Sequence, residues 1–124
     1  MAIVVGYVPT KEGAAALAQA GQEAVLRKTS LVVINSDRDG AGEGSGDLQK
    51  ALDDLTGQGV DVETRQLVRG NEPAEDLIAA AEELDAELIV IGLRRRTPVG
   101  KLILGSNAQR ILLDAPCPVL AVKS

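Results

Sequence analysis

The chain has no histidine, no tryptophan and no phenylalanine, and it carries one tyrosine (Tyr7) and one cysteine (Cys117) in 124 residues. Each scarcity closes a class of function. Without histidine the commonest general base is missing, and one cysteine forms neither an internal disulfide nor a Cys/His zinc cluster. With a single aromatic ring there is no platform on which successive bases of a single-stranded nucleic acid stack. Basic charge is also short, with 13 Lys and Arg against 18 Asp and Glu. An acidic balance with a pI near 4.7 argues against a nucleic-acid partner, because sequence-independent binding rests on many phosphate contacts. No apolar run approaches the roughly 20 residues that span a bilayer. The opening MAIVVGYVP has no basic segment before its short apolar run and no cleavage site, so a cytoplasmic protein without membrane attachment is expected.

What remains is aliphatic. Ala, Val, Leu and Ile supply nearly all the apolar content, which suits a β-branched sheet covered by Ala/Leu helices. The length suits one domain over residues 1–124. Continuous apolar runs predict buried strands over 2–8, 30–35 and 87–92, and the alternation in VDVETRQLV predicts a half-exposed edge strand over 60–68. A helix over 11–29 places Ala14, Leu17, Ala18, Ala24, Val25 and Lys28 on roughly helical spacing, with Gly13 and Gly21 weakening it. The polar, glycine-rich SDRDGAGEGSG reads as a mobile loop. A second helix, with Asp47 as its cap, carries Leu48, Ala51, Leu52 and Leu55 on one stripe and stops at Gly57 and Gly59. A third starts with Asn71 as N-cap before Pro73 and turns Leu77, Ile78, Ala81 and Leu84 inward. A fourth is capped by Ser106 and ended by Pro116, and CPVLAVK is the last strand. Five strands alternating with four helices predict a doubly wound α/β domain with a parallel sheet.

Ligands of such sheets sit beyond the carboxyl ends of the strands, where the strand order reverses. The residues that follow the fourth strand, IGLRRRTPVGKLILGS, are the chemically richest. Gly92 permits a tight turn and close approach of a ligand. Gly105, Ser106 and Asn107 open a helix, where backbone N–H groups and the positive dipole end favour an anion. Arg94, Arg95 and Arg96 could clamp phosphates bidentately or stand as solvated loop charge. Each of these residues alone also fits ordinary punctuation, since glycine after a strand and serine at a helix start are common.

Other candidates offer less chemistry. Cys117 lies between two prolines and reads as a small buried hydrophobe. Asp53, Asp54, Glu82 and Glu83 read as solvated helix faces, and Asp37 and Asp39 have glycine-rich neighbours ill suited to a metal site. Tyr7 reads as a packing or rim residue. No acid pair is placed at the strand ends and no GxxxxGK[ST] loop is present, so neither a catalytic residue nor a metal ligand is expected.

The segment IGLRRRTPVGKLILGSNAQRILLDAPCPVLAV resembles the C-terminal signature of the universal stress protein family. The likeness extends to Pro9 and Thr10 after the first strand and to the Gly-Asn-Glu-Pro stretch before the third helix. It implies five parallel strands in order 3-2-1-4-5 with helices on both faces. It also implies a homodimer through the last strand, at Val119, Leu120, Ala121 and Val122. The nucleotide-binding branch resembles Gly, two residues, Gly, nine residues, Gly, then Ser or Thr. Gly92, Gly105 and Ser106 match this pattern, and Arg95 stands at the second glycine.

The implied ligand is ATP or AMP. Its phosphates would meet Gly92, Arg94, Arg95, Gly105, Ser106 and Asn107, and its nucleoside end Tyr7, Val8, Pro9 and Ile34. Val8 occupies the place of a family aspartate, so one hydrogen-bond acceptor is lost. The resemblance thus leaves three functions: a stress-related nucleotide-binding regulator, a nucleotide-free protein-interaction dimer, and a slow ATPase.

Overall fold

The computed structural model describes residues 2–35, 45–66, 72–93 and 105–123. The chain runs β1 (Ala2–Tyr7), α1 (Lys11–Arg27), β2 (Ser30–Asn35), α2 (Ser45–Gly57), β3 (Val62–Gln66), α3 (Pro73–Glu83), β4 (Leu88–Leu93), α4 (Ser106–Asp114) and β5 (Val119–Lys123). All neighbouring strands are parallel and the sheet order is β3-β2-β1-β4-β5. The doubly wound fold inferred from the alternation of strands and helices is the fold observed.

The continuous apolar runs follow from burial on both faces. Successive strand side chains point to opposite sides. Ile3, Val5, Tyr7, Leu31, Val33, Leu88 and Val90 therefore pack with α1 and α2. Their neighbours Ala2, Val4, Val32, Ile34, Ile89 and Ile91 pack with α3 and α4. Of these, Ile3, Val4, Val5, Leu31, Val33, Ile89 and Val90 are fully buried. The sheet edges differ: β3 is mostly exposed, whereas Val119 to Val122 of β5 are half-buried.

Helix α1 differs from its predicted face. Thr10 caps it, accepting a hydrogen bond from the Gly13 N–H at 3.2 Å, and Lys28 closes it in the left-handed region at φ 56°. The buried residues are Gly13, Ala16, Leu17, Ala20, Gly21 and Ala24. Ala14, Ala18 and Val25 are exposed. The two glycines expected to weaken the helix are contact points: a Cβ at Gly13 would run into the Val8 carbonyl oxygen, and one at Gly21 would lie 2.7 Å from Leu55 Cδ2.

The other helices adjust at their ends. Helix α2 starts at Ser45, so Asp47 lies inside it rather than at its cap, while Leu48 and Leu52 are buried as the stripe predicts. The N-cap of α3 is Glu72, which makes no side-chain capping bond; Asn71, the expected cap, lies outside the described residues. The N-cap of α4 is Gly105, so Ser106 is its first helical residue rather than its cap.

Candidate functional site

The sheet opens where its two halves diverge. Strands β1 and β4 pair at Ile3 with Leu88, Val4 with Ile89 and Val5 with Val90. Beyond that point Gly6 and Tyr7 pair with β2, and Gly92 and Leu93 pair with β5. The separated carboxyl ends of β1 and β4 form the switch point at which doubly wound sheets bind ligands. A cavity of about 350 Å³ lies there, lined by Gly6, Val8 and Glu12 from the first turn, Gly92 and Leu93 from β4, and Gly105 to Ala108 from α4. Pro73, Leu77 and Ile111 complete its wall. The volume falls within the range of small-molecule sites.

Two helix starts converge on this cavity. The N-cap of α4, Gly105, has no side chain to satisfy the first-turn N–H groups, which leaves the anion-attracting end of the helix at the cavity wall. Ser106 is exposed and adds a hydroxyl there. Asn107 behaves otherwise. Its Oδ1 accepts a hydrogen bond from the Ala74 N–H at 3.2 Å, so its side chain caps α3 from the neighbouring helix. Helices α3 and α4 are further joined by Arg110 and Glu75 at 3.2 Å.

Gly92 has a structural reason to be glycine. A Cβ on it would meet the Glu12 carbonyl oxygen of α1 and would stand 3.1 Å from Glu12 Cβ. The close approach expected of a ligand is thus made by α1.

Of the expected nucleotide contacts, the fold brings Val8, Gly92, Gly105, Ser106 and Asn107 to one cavity. Tyr7 is buried on the opposite face of the sheet, against α1 and α2. Ile34 is on the cavity's side of the sheet but buried in the core, and Pro9 is exposed outside the described lining. Arg94, Arg95 and Arg96 lie outside the described residues, as do Asp37 and Asp39.

Two features escaped the sequence. Glu12 lines the cavity, and the capping pair Thr10 and Gly13 that fixes it was a readable local signal. The bond between Asn107 and Ala74 spans 33 positions, and nothing in the local sequence announces it. Cys117 is half-buried against the α3/α4 face, where burial pushes its thiol pKa up and makes it a poor nucleophile at neutral pH. Among the described residues no group of three or more Cys, Asp or Glu side chains is placed to hold a metal ion, and no helix is long and apolar enough to cross a membrane.

Residues 1–123 match the family model of the universal stress protein family. A universal stress protein of Mycolicibacterium smegmatis is 47% identical, with 98% of this chain and 96% of that protein covered. Among solved structures, a universal stress protein from Archaeoglobus fulgidus in complex with dAMP superposes with a TM-score of 0.76 at 31% identity, covering 99% of this chain and 98% of that one. A universal stress protein in complex with cAMP superposes at 0.77 and 27% identity, covering 99% and 96%.

Proposed function

This chain belongs to the universal stress protein family, and from that premise we propose that it is a cytoplasmic, adenine-nucleotide-binding regulatory protein that works as a homodimer. The observation that carries the nucleotide reading is the cavity between the diverged ends of β1 and β4, with the uncapped start of α4 in its wall. An uncapped helix start favours a phosphate through its N–H groups and dipole. The apolar remainder, Val8, Leu77, Ile91, Leu93 and Ile111, suits a nucleoside. That two relatives of similar fold hold dAMP and cAMP supports the same ligand class. ATP and AMP both carry the groups this cavity would recognise.

The protein is read as a binder rather than a catalyst. Among the described lining residues Glu12 is the one carboxylate, so no acid pair stands ready to activate water. The dimer rests on β5, whose Val119, Leu120, Ala121 and Val122 form an apolar edge strand. Such an edge invites pairing. The β3 edge is blunted by Glu63 and Arg65, which pair with each other at 3.0 Å.

A nucleotide-free interaction dimer is the second reading, favoured by Val8, an apolar side chain in the cavity wall. Thermal unfolding separates the two. A ligand at a hundredfold excess over its Kd stabilises the folded state by about 2.7 kcal/mol, so millimolar AMP or ATP is expected to raise Tm by several degrees. An unmoved Tm, with light scattering that still reports a dimer, would favour the interaction-only reading. A monomer at micromolar concentration would refute the dimer.

A further inference from the structure

We propose that Asn107 is a positioning residue for the bound nucleotide, joining the helix that would hold its phosphate to the helix that would wall its nucleoside. The inference rests on the nucleotide reading above. Its basis is one bond. Helix α3 gets no side-chain cap from Glu72, and Pro73 has no N–H, so the Ala74 N–H is the first donor inside the helix. Ala74 is fully buried, and an unpaired N–H there would cost stability. Asn107 Oδ1 accepts a hydrogen bond from it at 3.2 Å. This is the service an N-cap side chain gives the second residue of its own helix, supplied here by another helix.

Asn107 stands in the second position of α4. Its backbone belongs to the turn whose N–H groups attract an anion, and its side chain serves α3. The same two helices flank the cavity, with Gly105 to Ala108 on one side and Pro73 and Leu77 on the other. A nucleotide with its phosphate on α4 and its apolar part against α3 touches both, and it fits them best at the spacing the Asn107 bond sets. Arg110 and Glu75 join the same helices one turn further along at 3.2 Å, but both side chains are half-exposed, where an ion pair contributes little. The bond to the buried Ala74 is therefore the link through which a ligand on one helix is felt at the other. Ligand and bond strengthen each other by the same factor.

Amide hydrogen exchange read by NMR on the full chain, with and without saturating AMP, tests this in wild type, Asn107→Ala, Asn107→Asp and Arg110→Ala. Exchange at Ala74 reports the bond. Exchange at Thr29, whose N–H donates to the Ala24 carbonyl at 3.1 Å before the start of β2, reports general stabilisation at the far end of the sheet. In wild type AMP is expected to slow Ala74 roughly fivefold more than Thr29, the low end of couplings between sites. Asn107→Ala should lose that excess and bind AMP more weakly by about the same factor. Asn107→Asp, which keeps the acceptor, should retain the excess once saturated, and so should Arg110→Ala. A cap with a merely structural role would protect Ala74 without any excess on adding AMP.

Equal slowing of Ala74 and Thr29 by AMP in wild type would overturn the proposal. So would an excess that survives in Asn107→Ala, since the link would then run through packing or through Arg110. Those results leave nucleotide binding intact. No binding of AMP by wild type in a calorimetric titration removes the nucleotide reading and this proposal together.

Discussion

The two faces of the sheet are closed by different means. On the α1/α2 side, backbone meets backbone or side chain wherever a side chain is missing: Gly13 against Val8, Gly21 against Leu55, Gly92 against Glu12. On the α3/α4 side the helices are held to each other by polar contacts, Asn107 to Ala74 and Arg110 to Glu75. The cavity opens at their converging starts. One face is specified by atoms that are absent, at points where backbone or a neighbouring side chain stands too close for a Cβ. The other is specified by hydrogen bonds at its rim, and it keeps a space in which a ligand fits.

The largest test of this contrast is to add a methyl group on each face. At Gly13 an added Cβ would collide with the backbone oxygen of Val8, which cannot step aside. Gly13→Ala is expected to cost about 3 kcal/mol, the upper part of the usual range for overpacking, seen as a lower urea midpoint at unchanged slope. At Gly6, on the cavity face, the added atom would meet the end of the Leu77 side chain at 3.0 Å. A leucine rotamer beside a cavity can shift, so Gly6→Ala is expected to cost about 1 kcal/mol or less. At Gly57, in the last turn of α2, nothing lies within 4 Å of the new atom. Gly57→Ala there should be neutral or gain up to about 1 kcal/mol. Equal losses at Gly13 and Gly6 would break the contrast between the faces.

A middle-sized effect belongs to the polar rim. Asn107→Ala removes the acceptor that caps α3 at Ala74, and a lost N-terminal cap costs about 1 kcal/mol. Asn107→Asp keeps the acceptor and should recover most of that stability. If Asn107→Ala melts like wild type, the joint between α3 and α4 is held by packing and the Arg110–Glu75 pair without the cap, and the distinction between the faces narrows.

How much of this was legible follows from the range of each signal. Strands β1, β2 and β4 announced themselves because they are buried on both sides and so apolar without interruption. Gly92, Gly105 and Ser106 were marked by spacing, and the fold does bring them to one cavity. The face of α1 is not legible locally because Gly13 and Gly21 look like helix breakers in a local count, whereas their value lies in contacts with Val8 and Leu55. The family resemblance groups Tyr7 with Val8, whereas strand alternation places it with Ile3 and Val5 on the other side of the sheet. The sequence neighbours of Asn107 point it at a ligand, and in the fold its side chain accepts from the Ala74 N–H, 33 positions earlier. Local periodicity finds elements; which residue answers which across the core is decided by the packing.

The smallest structural effect is expected at Ser106, and it is the most informative about function. Ser106 is exposed in the first position of α4, and the helix has no side-chain cap to lose. Ser106→Ala should therefore leave the urea midpoint within about 0.5 kcal/mol of wild type, as exposed substitutions away from caps do. A phosphate seated on the start of α4 would nonetheless lose a hydroxyl donor, and a hydrogen bond to a charged group contributes about 1.5 to 3 kcal/mol. AMP affinity should then fall roughly tenfold to a hundredfold. Asn107→Ala would show the reverse pairing, a lower stability with a smaller change in affinity, because its side chain is engaged by Ala74. Should Ser106→Ala bind AMP like wild type while Asn107→Ala loses it, the phosphate would belong nearer α3, and the open face would be organised around its other helix.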